Sequence, residues 1–154
     1  MQILASYNIK GGVGKTATSV NLAFQGAHEG ARTLIWDLDP QGAATFYFRV
    51  RPKIKGGSRA LLKGRHDLAD LIKATDHDNL DLLPSDFSYR TMDLLLDDTK
   101  KPNERLKLLL SPLAGEYDHV FLDCPPGLTL LSESIFEAAN VLVVPVIPTS
   151  LSLR

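Results

Sequence analysis

The residues best suited to chemistry lie in one glycine-rich segment, Lys10–Thr16, with the sequence Lys-Gly-Gly-Val-Gly-Lys-Thr. It lies between an apolar segment, Ile3–Tyr7, and a segment with helical spacing of apolar residues, Thr16–Glu29. The glycines leave backbone N–H groups free to converge on an anion, and the start of a helix adds partial positive charge there. Lys15 can neutralise phosphate oxygens, and the Thr16 hydroxyl can ligate a divalent cation. The segment therefore predicts a site for nucleotide phosphates and magnesium.

Three aspartates follow apolar segments that we expect to be buried strands. Asp37 and Asp39 come after Thr33–Trp36, and Asp123 comes after His119–Leu122. Carboxylates at the C-terminal ends of parallel strands meet at the sheet edge where ligands bind. Each segment alone could be a buried strand with a capping aspartate, but the segments in this order favour one shared site. We expect Asp123 to hold the magnesium ion through a water molecule.

The elements that must position these residues alternate between apolar strands and amphipathic helices. We expect strands over Ile3–Tyr7, Thr33–Trp36, Leu80–Leu83, His119–Leu122 and Val141–Val146. We expect helices over Thr16–Glu29, 67–74, 86–97, 103–114 and 130–139, with a turn at Asp39–Gly42. Because the strands are continuously apolar, both of their faces should be buried. The predicted fold class is α/β, a three-layer sandwich with a mainly parallel sheet flanked by helices.

Composition narrows the class of protein. The 154 residues are 44% apolar and 23% charged with a net charge of −1, which excludes disorder and a molecule that is basic as a whole. A single cysteine, Cys124, excludes a disulfide framework. The N-terminus has no signal-peptide pattern, and the longest apolar run, Val141–Ile147, is too short for a membrane helix. We therefore expect a soluble, cytoplasmic protein with one domain over residues 1–154.

The glycine-rich loop begins with a lysine, Lys10, and has Ile9 where the standard P-loop has glycine. This form, K-G-G-x-G-K-T, resembles the deviant Walker A motif of the ParA/MinD family of P-loop ATPases. Leu34–Gly42 contains a sequence similar to that family's D-x-D-P-Q-G segment, and Val120–Gly127 resembles its Walker B strand. The Asp-Pro-Gln-Gly sequence is most similar to the ParA/Soj branch, and Asn79–Ser85 extends the resemblance.

The family's last strands and helices have no counterpart in this chain, so we expect a P-loop domain that lacks the end of the family fold. By the resemblance, Pro148 and Thr149 lie about where a loop on the adenine side would begin.

The resemblance also implies ATP or ADP and Mg²⁺ as cofactors, with slow hydrolysis that drives a monomer–dimer switch. Lys10 would contact the partner's phosphates in a nucleotide-sandwich homodimer, Asp39 would orient the attacking water and Asp37 would support the metal shell. The implied catalytic residues are Lys10, Lys15 and Asp39, and the implied magnesium residues are Thr16, Asp37 and Asp123. The implied nucleotide-binding residues are Lys10, Gly11, Gly12, Val13, Gly14, Lys15, Thr16 and Ala17.

In function, the resemblance implies an ATPase for plasmid or chromosome partitioning or cargo positioning, with a centromere-binding or other activating protein as partner. A nucleotide-dependent binding module without hydrolysis is the main alternative. A MinD-like membrane-cycling ATPase needs a C-terminal amphipathic helix, for which Pro148–Arg154 is too short. The Asp39–Gly42 sequence argues against a cobyrinic-acid-type amide ligase. We expect no membrane partner, and a position at the nucleoid where DNA is bound.

A basic stretch, 49–65, leaves two interpretations open. Its basic residues are Arg49, Arg51, Lys53, Lys55, Arg59, Lys63 and Arg65, and no acid lies among them. The stretch is either a solvated insertion loop with a turn at Gly56-Gly57 or a contact for the phosphates of nonspecific DNA. Such DNA binding would depend steeply on salt.

Overall fold

Six strands form one sheet in the computed structural model, which describes residues 1–148. The strands are β1 (Gln2–Ser6), β2 (Thr33–Asp37), β3 (Lys73–Ala74), β4 (Leu80–Leu83), β5 (His119–Asp123) and β6 (Val141–Val143). Their order is β3-β4-β2-β5-β1-β6, and all neighbours are parallel except β3 and β4. Pro148 is exposed, and Thr149 lies outside the described residues.

Helices cover both faces of this sheet. The α-helices are α1 (Lys15–His28), α2 (Ala43–Tyr47), α3 (Gly57–Leu62), α4 (Met92–Asp97), α5 (Arg105–Leu110) and α6 (Leu130–Ala138). Helices α1 and α2 pack on the face that carries Ile35 and Phe121, and α3 to α6 pack on the face that carries Trp36 and Leu122. The predicted three-layer α/β sandwich is therefore confirmed.

The parallel register brings three polar residues to one edge of the sheet. Asp123 at the end of β5 is paired with Ser6 at the end of β1 and with Asp37 at the end of β2. All three residues are buried, because β5 lies between the other two strands in the middle of the sheet. The loops after β1 and β2 consequently emerge side by side.

Two sequence predictions of secondary structure are wrong. The predicted helix over 67–74 is a 3-10 turn, Leu68–Leu71, followed by strand β3. Leu68 and Leu71 bury their side chains with this single turn, and the next residues then pair with β4 instead of continuing a helix. The predicted strand Val141–Val146 ends at Val143.

Helices α2 and α3 were not predicted from the sequence. Each is short and begins after a glycine with positive φ, Gly42 at +68° and Gly56 at +78°. Helix α3 lies inside the basic stretch and buries Ala60, Leu61 and Leu62. The interpretation of 49–65 as a solvated loop is therefore wrong for its backbone, although all of its basic side chains are exposed as expected.

No helix of residues 1–148 is both long enough and apolar enough to cross a lipid bilayer.

Candidate functional site

The glycine-rich loop joins β1 to α1 at the edge of the sheet where Asp123 lies. Gly12 and Gly14 have φ angles of +73° and +92°, a left-handed conformation that glycine adopts without steric cost. Gly14 is the N-cap of α1, so the free N–H groups of that helix open onto the loop. A β-carbon added at Gly11, Gly12 or Gly14 would meet no atom within 4 Å. The glycines therefore leave space above the loop open for a ligand.

Lys15 is buried beside this space although it carries a charge. The residue is 7% exposed, and its Nζ donates a hydrogen bond to the main-chain carbonyl of Lys10 at 2.8 Å. Ser6 Oγ donates to the Lys15 carbonyl at 3.0 Å, which ties the first turn of α1 to the end of β1. Because an ammonium group has three N–H donors, two remain for an anion.

A cavity of about 370 Å³ lies between the loop, the start of α1 and the turn after β2. Its lining residues are Gly11, Gly12, Gly14, Lys15, Thr16, Ala17, Asp39 and Pro126. This volume falls within the range of about 300–1,000 Å³ that is usual for small-molecule sites. The structure thus brings most of the predicted nucleotide-binding residues to one cavity, together with Asp39.

Two predicted nucleotide-binding residues do not line this cavity. Val13 is buried in the protein. The amide of Lys10 donates a hydrogen bond to Oδ1 of Asn8 at 2.9 Å, and Lys10 is partly exposed. The loop backbone at Lys10 is therefore fixed by Asn8, whereas its side chain lies outside the cavity lining.

Asp123 is fully buried at the end of β5. Its Oδ1 accepts a long hydrogen bond of 3.4 Å from Ser19 Oγ, and its Oδ2 has no partner. Burial raises the pKa of Asp123 to about 7, with a further increase from the charge of Asp37, while the neighbouring Thr16 hydroxyl lowers it. An unpartnered carboxylate oxygen at this depth is costly and would be satisfied by a cation or its water shell.

Asp37, the register neighbour of Asp123, uses both oxygens within the protein. Its Oδ2 accepts hydrogen bonds from the amide and the hydroxyl of Thr45, each at 2.7 Å, and its Oδ1 accepts from the amide of Asp39 at 3.2 Å. Burial raises the pKa of Asp37 to about 6, although the Thr45 hydrogen bonds act in the opposite direction. In this structure Asp37 anchors α2 and the turn that begins at Asp39.

Asp39 lines the cavity from the other side. Its Oδ1 accepts a hydrogen bond from the amide of Gln41 at 2.9 Å, and its carbonyl accepts from the amide of Gly42 at 2.9 Å. Oδ2 accepts no hydrogen bond from any residue in the described part of the chain. The predicted turn at Asp39–Gly42 is present, and it presents a carboxylate oxygen without a protein partner.

Several residues that support the site were not predicted from the sequence. Asn8 joins the loop to the end of the sheet, because its Nδ2 also donates to the carbonyl of Pro145 at 3.0 Å. Thr45 and Ser85 hold the turn after β2. Their partners are 8 to 46 residues distant along the chain, so no local sequence pattern indicates these contacts.

The oxygen donors at this edge are few. Within residues 1–148, no group of three or more His, Cys, Asp or Glu side chains could hold a metal ion. Thr16 lines the cavity, and Asp123 retains an unpartnered oxygen. A small hard cation that retains several waters, as Mg²⁺ does, fits such a sparse set of oxygens.

Comparison with known proteins identifies one family model and several similar proteins. A family model described as "AAA domain" matches residues 1–154. The chain is 38% identical over 146 residues to the sporulation initiation inhibitor protein Soj of Bacillus subtilis, covering 94% of this chain and 58% of Soj. It is 36% identical over 148 residues to the chromosome partitioning protein ParA of Myxococcus xanthus, covering 94% of this chain and 51% of ParA.

Solved structures share the fold. An ATP complex of McdA from Cyanothece matches with a TM-score of 0.91 at 27% identity, covering 99% of this chain and 59% of that one. Cobyrinic acid a,c-diamide synthase of Mycobacterium smegmatis, with an ATP analogue and magnesium bound, matches with a TM-score of 0.88 at 33% identity, covering 95% of this chain and 60% of that one. The chain thus spans 51–60% of the length of these proteins. It belongs to the AAA domain family and, within it, to the ParA/Soj group of P-loop proteins with a deviant Walker A loop.

Proposed function

We propose that this chain is the P-loop domain of an ATPase that binds Mg-ATP above Gly11–Thr16 and hydrolyses it slowly. The observation that carries the proposal is the combination of an open glycine loop, the buried Lys15 and the unpartnered oxygen of Asp123 at one edge of the sheet. An anion and a hard cation bound together would satisfy these groups, whereas either alone would leave one of them uncompensated.

Each loop residue has a distinct part in binding. The backbone N–H groups of the loop and of the first turn of α1 bind phosphate oxygens, and Lys15 exchanges its contact with the Lys10 carbonyl for the terminal phosphates. Thr16 and Asp123 would hold Mg²⁺, Asp123 through a water, and the ion would neutralise the charge of the phosphates.

We assign different roles to the two aspartates after β2. Asp39 orients the attacking water, because it lines the cavity with a carboxylate oxygen that has no protein partner. Asp37 supports the metal shell indirectly, because Thr45 and the Asp39 amide already donate hydrogen bonds to both of its oxygens.

Lys10 acts in this proposal on the partner subunit of an ATP-dependent homodimer. Its side chain does not line its own cavity and makes no ion pair among residues 1–148. Where a second subunit supplies a cation to the phosphoryl group being transferred, that cation accelerates the reaction roughly 10³–10⁵-fold. An isolated monomer should therefore hydrolyse ATP slowly, and the dimer should be the form that turns over.

In the cell, we propose a role in plasmid or chromosome partitioning or in the positioning of other cargo. The similarity to Soj and to ParA supports this role. A centromere-binding protein or another activating protein would stimulate hydrolysis and return the dimer to monomers. The protein would act in the cytoplasm and at the nucleoid.

We also propose that the basic stretch contacts DNA. Phe46 and Tyr47 at the end of α2 are 82% and 62% exposed, and they surround a shallow concavity with Arg49 and Arg51. Exposed aromatic rings beside cations are typical of surfaces that bind single-stranded nucleic acid, and the cations can also contact the phosphates of a duplex. Because α2 is anchored to Asp37 through Thr45, this surface is connected to the nucleotide site.

A nucleotide-dependent binding module that does not hydrolyse ATP is the second candidate. This candidate applies if no partner subunit supplies Lys10, because the Lys10 side chain lies outside the cavity of its own chain. Steady-state phosphate release, measured with and without DNA, separates the two candidates.

The first experiment measures nucleotide binding. Mg-ATP at about 100 times its Kd should stabilise the protein by about 2.7 kcal/mol and raise its melting temperature. Lys15→Ala should remove this shift, whereas Lys73→Ala, at an exposed lysine on β3, should retain it. If the wild-type chain shows no shift at millimolar nucleotide, the proposal is wrong.

A further inference from the structure

A second cavity, of about 440 Å³, lies between α3, the end of α4 and the start of α5. It shares no residue with the cavity above the glycine loop. Four cationic side chains line it, together with two leucines, Leu62 and Leu95. The cations are Arg59, Lys63, Lys100 and Arg105.

The charge of this cavity is largely uncompensated. Asp98 is the one acidic residue in its lining, against four cations. None of the four takes part in an ion pair among residues 1–148, whereas the nearby Lys101 and Lys107 are paired with Glu104 and Glu137. Like charges gathered around one concavity repel one another and attract an anion into it.

Arg105 carries the strongest signal for a ligand. Its Nε is buried and has no hydrogen-bond partner, and its guanidinium donates no hydrogen bond to any other residue that the structure describes. Arg105 is partly buried and lines the cavity, so its guanidinium brings donors there that no described residue uses. The planar fork of an arginine matches the oxygens of a phosphate group, which can accept two hydrogen bonds side by side.

The leucines indicate that the ligand also has a carbon part. Leu62 is 2% exposed and belongs to the main core, and Leu95 packs against that core. Both leucines line the cavity, and Leu95, which is only partly buried, offers more apolar surface beside the cations than Leu62 does. Such a mixed lining binds an amphiphilic molecule better than a bare ion.

We propose that this cavity binds a small organic phosphate monoester, with its phosphate on Arg59 and Arg105 and its carbon part against Leu62 and Leu95. The site is separate from the nucleotide cavity, and the proposal holds whether or not the chain hydrolyses ATP. It also gives Arg59 and Lys63 a role other than the DNA contact proposed for the basic stretch.

The test is isothermal titration of the Lys15→Ala protein with phenyl phosphate at constant ionic strength. Lys15→Ala weakens the nucleotide cavity, so that saturable binding reports on the second site. We expect one site per chain, and we expect Arg105→Gln to weaken its Kd by about tenfold or more. Lys73→Gln, which removes the same charge from an exposed position outside the cavity, should leave the Kd unchanged.

Arg59→Gln provides a second variant at an exposed position on α3, where substitution spares the core. The proposal is overturned if no saturable binding occurs up to about 10 mM ligand. It is also overturned if Lys73→Gln weakens binding as much as the cavity variants do, because the attraction is then only diffuse charge. Displacement of phenyl phosphate by duplex DNA would overturn it as well, since these cations would then belong to the DNA contact.

Discussion

The hydroxyl of Ser85 donates a hydrogen bond to the main-chain carbonyl of Asp39 at 2.5 Å, across 46 residues of sequence. The amide of Ser85 donates to Thr45 Oγ1 at 2.8 Å, and that hydroxyl donates to Asp37 at 2.7 Å. Ser85, which follows β4, therefore connects to both aspartates after β2. It is a positioning residue for the turn that presents Asp39 to the cavity.

Ser85→Ala tests this positioning role. The substitution removes the contact with Asp39 and retains the amide that donates to Thr45, so we expect a loss of about 1 kcal/mol in the free energy of unfolding. The maximal rate of ATP hydrolysis should fall while the KM for ATP changes little, because the role proposed for Asp39 is to orient the attacking water and not to bind ATP. Ser58→Ala, which removes a buried hydroxyl bonded to Ser88, should lower stability without this selective effect on rate. Equal losses in affinity and rate would contradict the positioning role.

Asp123→Asn should stabilise the nucleotide-free protein while it weakens Mg-ATP binding. At pH 7.5 the wild-type protein holds a buried carboxylate with an unpartnered oxygen, and the amide removes this charge. A rise in pKa from about 4 to about 7 corresponds to at most about 4 kcal/mol of unfolding free energy. Urea denaturation measures the gain, and the Mg-ATP thermal shift measures the loss. A variant less stable than wild type at pH 7.5 would contradict the expected cost of the buried charge.

The same carboxyl predicts a pH dependence. Because the pKa of Asp123 is higher in the folded protein than in the unfolded chain, the folded state binds the proton more tightly between about pH 4 and pH 7. Its contribution to stability is therefore present below about pH 4 and is lost as the pH rises towards 7. Subtracting the stability profile of Asp123→Asn from that of the wild type isolates this contribution. A difference that is flat over this interval would contradict the raised pKa.

Lys10→Ala should separate nucleotide binding from dimer formation. We expect the variant to bind Mg-ATP, because the Lys10 side chain does not line its own cavity, and to remain monomeric in sedimentation. The wild-type protein should dimerise with ATP and not with ADP, and Asp39→Ala should accumulate the dimer because hydrolysis stops. Lys73→Ala serves as the charge-matched control. Full ATPase activity in Lys10→Ala would rule out a role on the partner subunit.

The sequence predicted the parallel sheet and the glycine loop because their signals are local. A continuous apolar strand, a glycine run and a helical segment are each contained within a few neighbouring residues, and the glycine loop lies between β1 and α1 as those signals predict. The strands that end at Asp37 and Asp123 were predicted to within one residue for the same reason.

The remaining features depend on contacts between distant segments. Helix α2 is five residues long and is held by the bond from Thr45 to Asp37, so its own sequence carries little helical signal. The sequence signal for helix α3 is obscured by the charged residues around it, although Ala60, Leu61 and Leu62 form its buried side. The support of Asp39 by Ser85 follows only from the position of β4 beside β2.

The basic stretch yields the last prediction, in which Arg51, Lys53 and Lys55 are reversed to Glu. These exposed side chains surround a groove with Lys73 and lie outside the cavity proposed for a phosphate ester. Each DNA phosphate that is neutralised releases counterion, so log K should fall with log salt by about 0.9 per contact. Four or five contacts in the wild-type protein would give a slope near −4, with almost no preference among duplex sequences.

The triple reversal should abolish DNA binding in fluorescence anisotropy and leave the Mg-ATP thermal shift intact, because α2 and its anchor Asp37 are unchanged. ATP should strengthen binding by the wild-type protein, since a dimer presents two basic surfaces to one duplex. Reversal of Lys100, Lys101 and Lys107 changes the net charge equally on another surface and should reduce affinity far less. Because Lys101 and Lys107 are paired with Glu104 and Glu137, thermal melting checks that this control is folded. If both triple variants lose DNA binding to the same extent, the interaction follows net charge alone. If the first variant retains DNA affinity, the contact lies elsewhere, and the exposed cations of 49–65 act only as a solvated surface.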